Sequence, residues 1–114
     1  RTINRRILAK EDFTEKQYNR MGQMFELTDD ALTQMNNLLV GHKHDNDVNH
    51  SFNIENEMNN YRDQLRTQNI QDVNDHKYTY AIGTMYMDII QECEKLGDYV
   101  VNVVEARMGV KQNS

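Results

Sequence analysis

The chain has 114 residues, enough for one domain with one sizeable core, and it contains no proline and five glycines. A β-sandwich or barrel needs chain-breaking residues at many turns, so this composition argues strongly against both. The 13 basic and 18 acidic residues give a net charge of −5, which disfavours nucleic acid as a partner. A single cysteine excludes a disulfide within the chain. The sequence contains no run of about 20 apolar residues, so we expect none of these residues to be inserted in a membrane.

The first ten residues are basic and predict a linker or the end of a preceding helix. Lys and Arg accumulate on the cytoplasmic side of membrane helices, so the segment also suits a chain that has just left a membrane. The sequence begins with Arg and carries no signal-peptide pattern. We therefore expect a domain excised from a longer protein, with residues 11–114 forming the folded unit. The basic side chains are Arg1, Arg5, Arg6 and Lys10.

The first predicted helix opens at Asp12, because Glu15 three residues later completes a capping-box pattern. Apolar residues then alternate at spacings of three and four over about 22 residues, which predicts one buried seam. Gly41 is expected to end this helix. The residues of the seam are Tyr18, Met21, Phe25, Thr28, Leu32, Met35 and Leu39.

The second predicted helix follows a polar connection at residues 41–47 and is weaker, because it is rich in asparagine. Its seam is Ile54, Met58, Tyr61 and Leu65, which places Phe52 at an outer position. Residues 67–75 are predicted as a second loop, with Asp72 or Asn74 available as an N-cap.

The third predicted helix has the most regular pattern and ends at Gly109. Cys93 lies within its seam, so we expect a buried, unreactive thiol. Three long helices with short connections predict an all-α fold, an antiparallel three-helix bundle. The seam contains Ile82, Tyr86, Ile89, Cys93, Leu96, Val100, Val103 and Arg107.

Sequence motifs for catalysis do not occur in this chain, which has no nucleophile elbow, no P-loop and no dinucleotide fingerprint. We therefore expect a protein that is not an enzyme. One alternative stays open: His42, His44, Asp45 and Asp47 are close enough in sequence to hold a metal in a metal-dependent helical enzyme.

Carboxylates on the third helix form a second candidate metal site. Glu94 and Asp98 are four residues apart, so their oxygens point to one patch of the helix surface. With the apolar seam at heptad positions a and d, both fall on the face turned away from the core. Asp45 and Asn49 have the same spacing on the second helix. Hard cations accept such oxygen ligands, although acids on an outer face also serve simply as solvated surface.

Residues 94–105 resemble the signature helix of PhoU-like domains. Glu94, Gly97, Asp98, Asn102 and Glu105 match the residues that are common there. Residues 45–49 resemble the earlier acidic motif of that family, with an amide in place of its second carboxylate. The resemblance implies a single repeat of a three-helix bundle that binds iron, manganese, zinc or magnesium through these two motifs. The metal ligands implied are Glu94, Asp98, Asp45 and Asn49.

The same resemblance implies a regulatory role in phosphate transport without catalysis. A similar domain forms the cytoplasmic C-terminal part of bacterial sodium/phosphate cotransporters. The expected partner is therefore the transmembrane part of such a transporter, and the expected location is the cytoplasmic side of the inner membrane. A single bundle with Phe52 exposed is also expected to form a homodimer, and a purely structural dimerisation bundle remains the other alternative.

Overall fold

The computed structural model describes residues 12–41 and 45–109, in which three helices fold into one bundle. Helix α1 spans Glu15–Leu39, α2 spans Asp45–Asn74 and α3 spans Tyr80–Met108. Each helix packs against both of the others, and the bundle measures 49 × 26 × 19 Å. This arrangement confirms the predicted all-α three-helix bundle. The basic segment 1–10 lies outside the described residues.

The start of α1 differs from the predicted capping box. Thr14 is the N-cap: its hydroxyl accepts a hydrogen bond from the Gln17 amide at 3.1 Å, and the Gln17 side chain accepts one from the Thr14 amide at 2.9 Å. These two bonds satisfy backbone donors that the first helical turn leaves without partners. Asp12 instead accepts hydrogen bonds from the Phe13 amide and the Tyr18 hydroxyl.

The buried face of α1 is rotated from the predicted seam. Met21 and Thr28 are buried as expected, but Tyr18, Phe25 and Leu39 are exposed. A helix that packs against two neighbours buries the positions that lie between them. The buried face therefore keeps the seven-residue repeat but centres one position earlier, on Met24, Ala31 and Leu38 in place of Phe25, Leu32 and Leu39. The helix ends as predicted, with Gly41 at a positive φ of 90°.

Helix α2 extends through the segment that was predicted as a loop. It begins at Asp45, inside the expected polar connection, and continues through residues 67–74. This polar stretch stays helical because Asp72 is buried and accepts hydrogen bonds from Arg20 of α1 and from Gln68. The N-cap of α3 is accordingly Thr79, whose hydroxyl accepts from the Ile82 amide, and neither Asp72 nor Asn74 serves in that role.

Helix α3 ends where it was predicted to end, but its buried face is rotated from the predicted seam, because Leu96 is 45% exposed and Arg107 is exposed. Gly109 adopts a left-handed φ of 68°, and its amide donates to the Glu105 carbonyl at 2.9 Å. Cys93 is buried as expected, and this burial raises the pKa of its thiol. The raised pKa favours the unreactive protonated form at neutral pH.

Phe52 was expected at an outer position, but it is buried in the core with Ile54, Met58 and Ile90. The longer, rotated α2 places it against the other helices, so the expectation of a dimer through an exposed Phe52 has no basis in this structure. None of the described helices combines the length and apolarity needed to cross a membrane.

Candidate functional site

Three acidic side chains meet where α2 and α3 pack together. Glu55 comes from α2, while Glu94 and Asp98 come from consecutive turns of α3. One carboxylate oxygen from each lies within 4.8 Å of the others. We call these three residues the carboxylate cluster. Sequence spacing predicted the pair on α3, and the structure adds the residue from α2.

Gly97 allows the two helices to approach closely at this point. A Cβ atom at position 97 would lie 3.0 Å from the Met58 sulfur and 3.9 Å from Cγ of Glu55. The absence of a side chain on α3 therefore leaves room for α2 directly beside the carboxylate cluster. Gly97 therefore has a packing role in the contact between α2 and α3.

Glu94 was predicted to face away from the core, but it is only 8% exposed between α2 and α3. The prediction fails because the buried face of α3 turns toward α2 and includes this position. Burial raises the pKa of Glu94, and the nearby Asp98 carboxylate raises it further. Asp98 itself remains exposed, so the carboxylate cluster has one edge open to solvent.

Two polar side chains of α2 hold the carboxylate cluster in place. Arg62 lies 3.1 Å from a Glu94 oxygen and 3.1 Å from Asp63, so it bridges the cluster and the surface. The Asn59 amide donates a 2.7 Å hydrogen bond to Glu55. Arg62 divides its charge between Glu94 and Asp63, so the guanidinium offsets only part of the negative charge of the three carboxylates.

The two residues expected on the α2 side of the metal site lie elsewhere on that helix. Asp45 is its first residue, and Asn49 is exposed six residues before Glu55, about 9 Å along the helix axis. The signal missed in the sequence was Glu55-x-x-x-Asn59, an acid followed by an amide at the same spacing as the motif chosen at residues 45–49.

The histidine alternative receives no geometric support from the described residues. His42 and His44 lie outside them, and Asp47 belongs to the first turn of α2. His50 is exposed on α2. The metal-dependent enzyme therefore stays an untested prediction.

Comparison with family models, curated proteins and solved structures gives no match to this chain. What the fold and site define is an all-α three-helix bundle that carries an acidic cluster between two of its helices.

Proposed function

We propose that this bundle is a non-catalytic regulatory domain of the PhoU-like kind, and that its carboxylate cluster binds a metal cation. The observation that carries the proposal is the convergence of Glu55 with Glu94 and Asp98. Two of these residues belong to the segment that resembles the family's signature helix. The third, Glu55, comes from the neighbouring helix α2, so a cation at this place would have ligands from two helices.

The donor set suits a hard cation such as iron, manganese or magnesium, with zinc as a further candidate. All three side chains of the carboxylate cluster offer oxygen ligands, which these ions accept. The cation would supply the positive charge that offsets repulsion among the carboxylates. Asn59 and Arg62 would orient Glu55 and Glu94 through the contacts they already make.

The regulatory step follows from the position of the carboxylate cluster between two helices. A bound cation would attract Glu55 of α2 and the acids of α3 to each other, in addition to the ion pair that Arg62 of α2 already makes with Glu94 of α3, whereas without the cation Glu55 repels those acids. Occupancy would therefore bias the bundle between a tighter and a looser packing of α2 on α3. A partner that binds only one of these two conformations would respond to whether the cation is bound. We propose that this partner is the transmembrane part of a sodium/phosphate transporter, regulated from the cytoplasm.

Phosphate uptake by cells that carry the complete protein tests this function. Deletion of the bundle is expected to change uptake or its regulation, and unchanged uptake would contradict the regulatory role. Glu55→Gln and Asp98→Asn are expected to reproduce the effect of the deletion. Glu57→Gln is the matched control, because Glu57 is an exposed acid on the same helix, outside the carboxylate cluster. If the deletion acts while both cluster variants behave as wild type, the cation has no part in the regulation.

A further inference from the structure

An open cleft of about 740 Å³ lies along α2, beside Arg20 of α1. Gln64 lines this cleft, and at about 100° per residue it lies on the side of α2 opposite to Glu55. The cleft is therefore separate from the carboxylate cluster and does not depend on a cation bound there. We call it the Arg20 cleft, and its lining includes Arg20, Asn60, Tyr61, Gln64 and Gln68.

The lining of the Arg20 cleft is mostly neutral and polar. Side-chain amides of Asn60, Gln64 and Gln68 come from α2, and an amide side chain can both donate and accept hydrogen bonds. Among the described residues that line the cleft, Arg20 is the only cation. The volume of the cleft falls within the range of about 300–1,000 Å³ that is typical of small-molecule sites. These features suit a small polar molecule with one anionic group.

The Arg20 guanidinium has hydrogen-bond donors available for such a group. It contacts Asp72 through Nη1 at 3.3 Å. Asp72 is also held by the Gln68 amide, which donates to the other carboxylate oxygen at 2.9 Å. A guanidinium carries five N–H donors in a planar fork and can hold a carboxylate through two parallel hydrogen bonds. The edge of Arg20 that Asp72 does not use can therefore bind a second carboxylate.

The charge around Arg20 favours a ligand with one negative charge. Arg20 and Lys77 lie 3.3 and 3.8 Å from Asp72, so two cations share one carboxylate and leave one net positive charge. Asp63 also lines the cleft, but it is paired with two arginines of its own helix at 3.1 and 3.8 Å. A monocarboxylate matches this balance, whereas a phosphate group on an organic molecule carries about −1.5 to −2 at neutral pH.

A second donor, the Tyr86 hydroxyl, lies behind the wall that Arg20 and Tyr61 form. Tyr86 is fully buried, and its hydroxyl has no hydrogen-bond partner in the part of the chain that the structure describes. Burial raises the pKa of Tyr86 to about 12, and the charge of the nearby Arg20 lowers it only in part. The hydroxyl therefore keeps its proton at neutral pH. Buried polar groups almost always have a partner, and this donor is available to a ligand oxygen beside Arg20.

We propose that the Arg20 cleft binds a small organic molecule with one carboxylate and a neutral, hydrogen-bonding body. The carboxylate accepts hydrogen bonds from the free edge of the Arg20 guanidinium and from the Tyr86 hydroxyl, and the body contacts the amides of Asn60 and Gln64. The side chain of Arg20 is 22% exposed, so it can turn toward the cleft and bring the carboxylate within reach of Tyr86.

Titration of the complete chain with gluconate tests the proposal. Gluconate has one carboxylate on a polyhydroxy chain, and sorbitol is the matched control because an alcohol replaces that carboxylate. Calorimetry measures the affinity, and the NMR signal of the Arg20 Nε–H group shows where the ligand binds. At constant ionic strength, gluconate is expected to shift this signal in a saturable way, and sorbitol is not. Inorganic phosphate is the second comparison and should bind more weakly than gluconate.

Tyr86→Phe distinguishes a role in binding from a role in folding. It removes an unpartnered hydroxyl and no hydrogen bond, so the unliganded variant should be at least as stable as wild type. Its affinity for gluconate should fall at least about tenfold, because a hydrogen bond to a charged group is lost. Arg20→Gln should abolish binding. Arg66→Gln is the control and should bind as wild type does, because Arg66 is an exposed cation of α2 that does not line the cleft.

Three results would overturn the proposal. The first is wild type without a saturable shift of the Arg20 signal in gluconate, or with the same shift in sorbitol. The second is tighter binding of phosphate than of gluconate, which would identify a different anion. The third is unchanged gluconate affinity in Tyr86→Phe, or an equal loss in Arg66→Gln and Arg20→Gln. Circular dichroism verifies folding, and Tyr86→Phe decides the outcome if Arg20→Gln does not fold.

Discussion

Gly97 of α3 and Met58 of α2 lie so close that a Cβ atom at position 97 would be 3.0 Å from the methionine sulfur. Met58 is completely buried, so its side chain has little free space into which to move. This contact sets the approach of the two helices beside Glu55. It links the packing of the bundle to the geometry of the carboxylate cluster.

Alanine substitutions at Gly22 and Gly97 should distinguish the gain in helix propensity from the cost of crowding Met58. Gly22→Ala, with nothing within 4 Å of the added Cβ, is expected to raise the free energy of unfolding by about 0.5–1 kcal/mol. Gly97→Ala should gain less or lose stability, because Met58 must shift. Urea unfolding measures both variants. Equal gains would show that the α2–α3 contact at Gly97 is not tight.

The ion pair between Arg20 and Asp72 joins α1 to the far end of α2 at 3.3 Å. Burial alone would raise the pKa of Asp72, but hydrogen bonds from Gln68 and Arg20 and the charges of Arg20 and Lys77 lower it overall. The folded state therefore binds the proton of Asp72 less tightly than the unfolded state does. Its stabilising contribution is present above the ordinary pKa of 3.8 and is lost as the pH falls through the lowered value.

Asp72→Asn is accordingly expected to lower the free energy of unfolding by about 1.5–3 kcal/mol at pH 7, the range for hydrogen bonds to charged groups. The difference from wild type should shrink below pH 3.8. Urea unfolding across this pH range provides the measurement. Asp75→Asn is the control, because Asp75 is exposed and should have little effect at either pH. If the free energy of unfolding of Asp72→Asn stays below that of wild type by the same amount at every pH, the electrostatic explanation is contradicted.

Glu94 should show the opposite pH dependence, because burial and Asp98 raise its pKa above the ordinary 4.5. The folded state then holds this proton more tightly than the unfolded state. The contribution of Glu94 to the free energy of unfolding is fully present below pH 4.5 and is lost as the pH rises through the raised pKa. Without added metal, Glu94→Gln is therefore expected to be more stable than wild type at pH 7 and to lose that advantage below pH 4.5. A Gln variant less stable than wild type at pH 7 would show that the ion pair with Arg62 outweighs burial.

The regular parts of the fold were predictable, and the irregular parts required tertiary contacts. Apolar spacing predicted that α3 is a helix and Gly109 predicted its end, because both signals act within the helix itself, whereas the buried face of α3 depends on how α2 and α1 pack on it. The helical state of residues 67–74 could not be predicted in this way. Its support comes from Arg20, which lies 52 residues away from Asp72 in sequence. Local propensity contains no information about such a partner.

The sequence predicted the two residues that α3 contributes to the carboxylate cluster, but not the residue from α2. Spacing alone placed Glu94 and Asp98 on one patch, but it could not select their partner on α2. Asp45 and Glu55 both lie on that helix, and the choice between them depends on how α2 is shifted and rotated against α3. The close approach at Gly97 determines that shift, and it becomes visible only when the two helices are packed.

Cation binding to the purified bundle tests the central claim most directly. Iron, manganese, zinc and magnesium would be offered in turn, and bound metal measured by elemental analysis after dialysis. We expect a stoichiometric cation in wild type and in the control Glu57→Gln, and its loss in Glu55→Gln and in Asp98→Asn, because only the latter two remove a ligand from the carboxylate cluster. Wild type without bound metal, or Glu55→Gln with as much metal as wild type, would contradict the account.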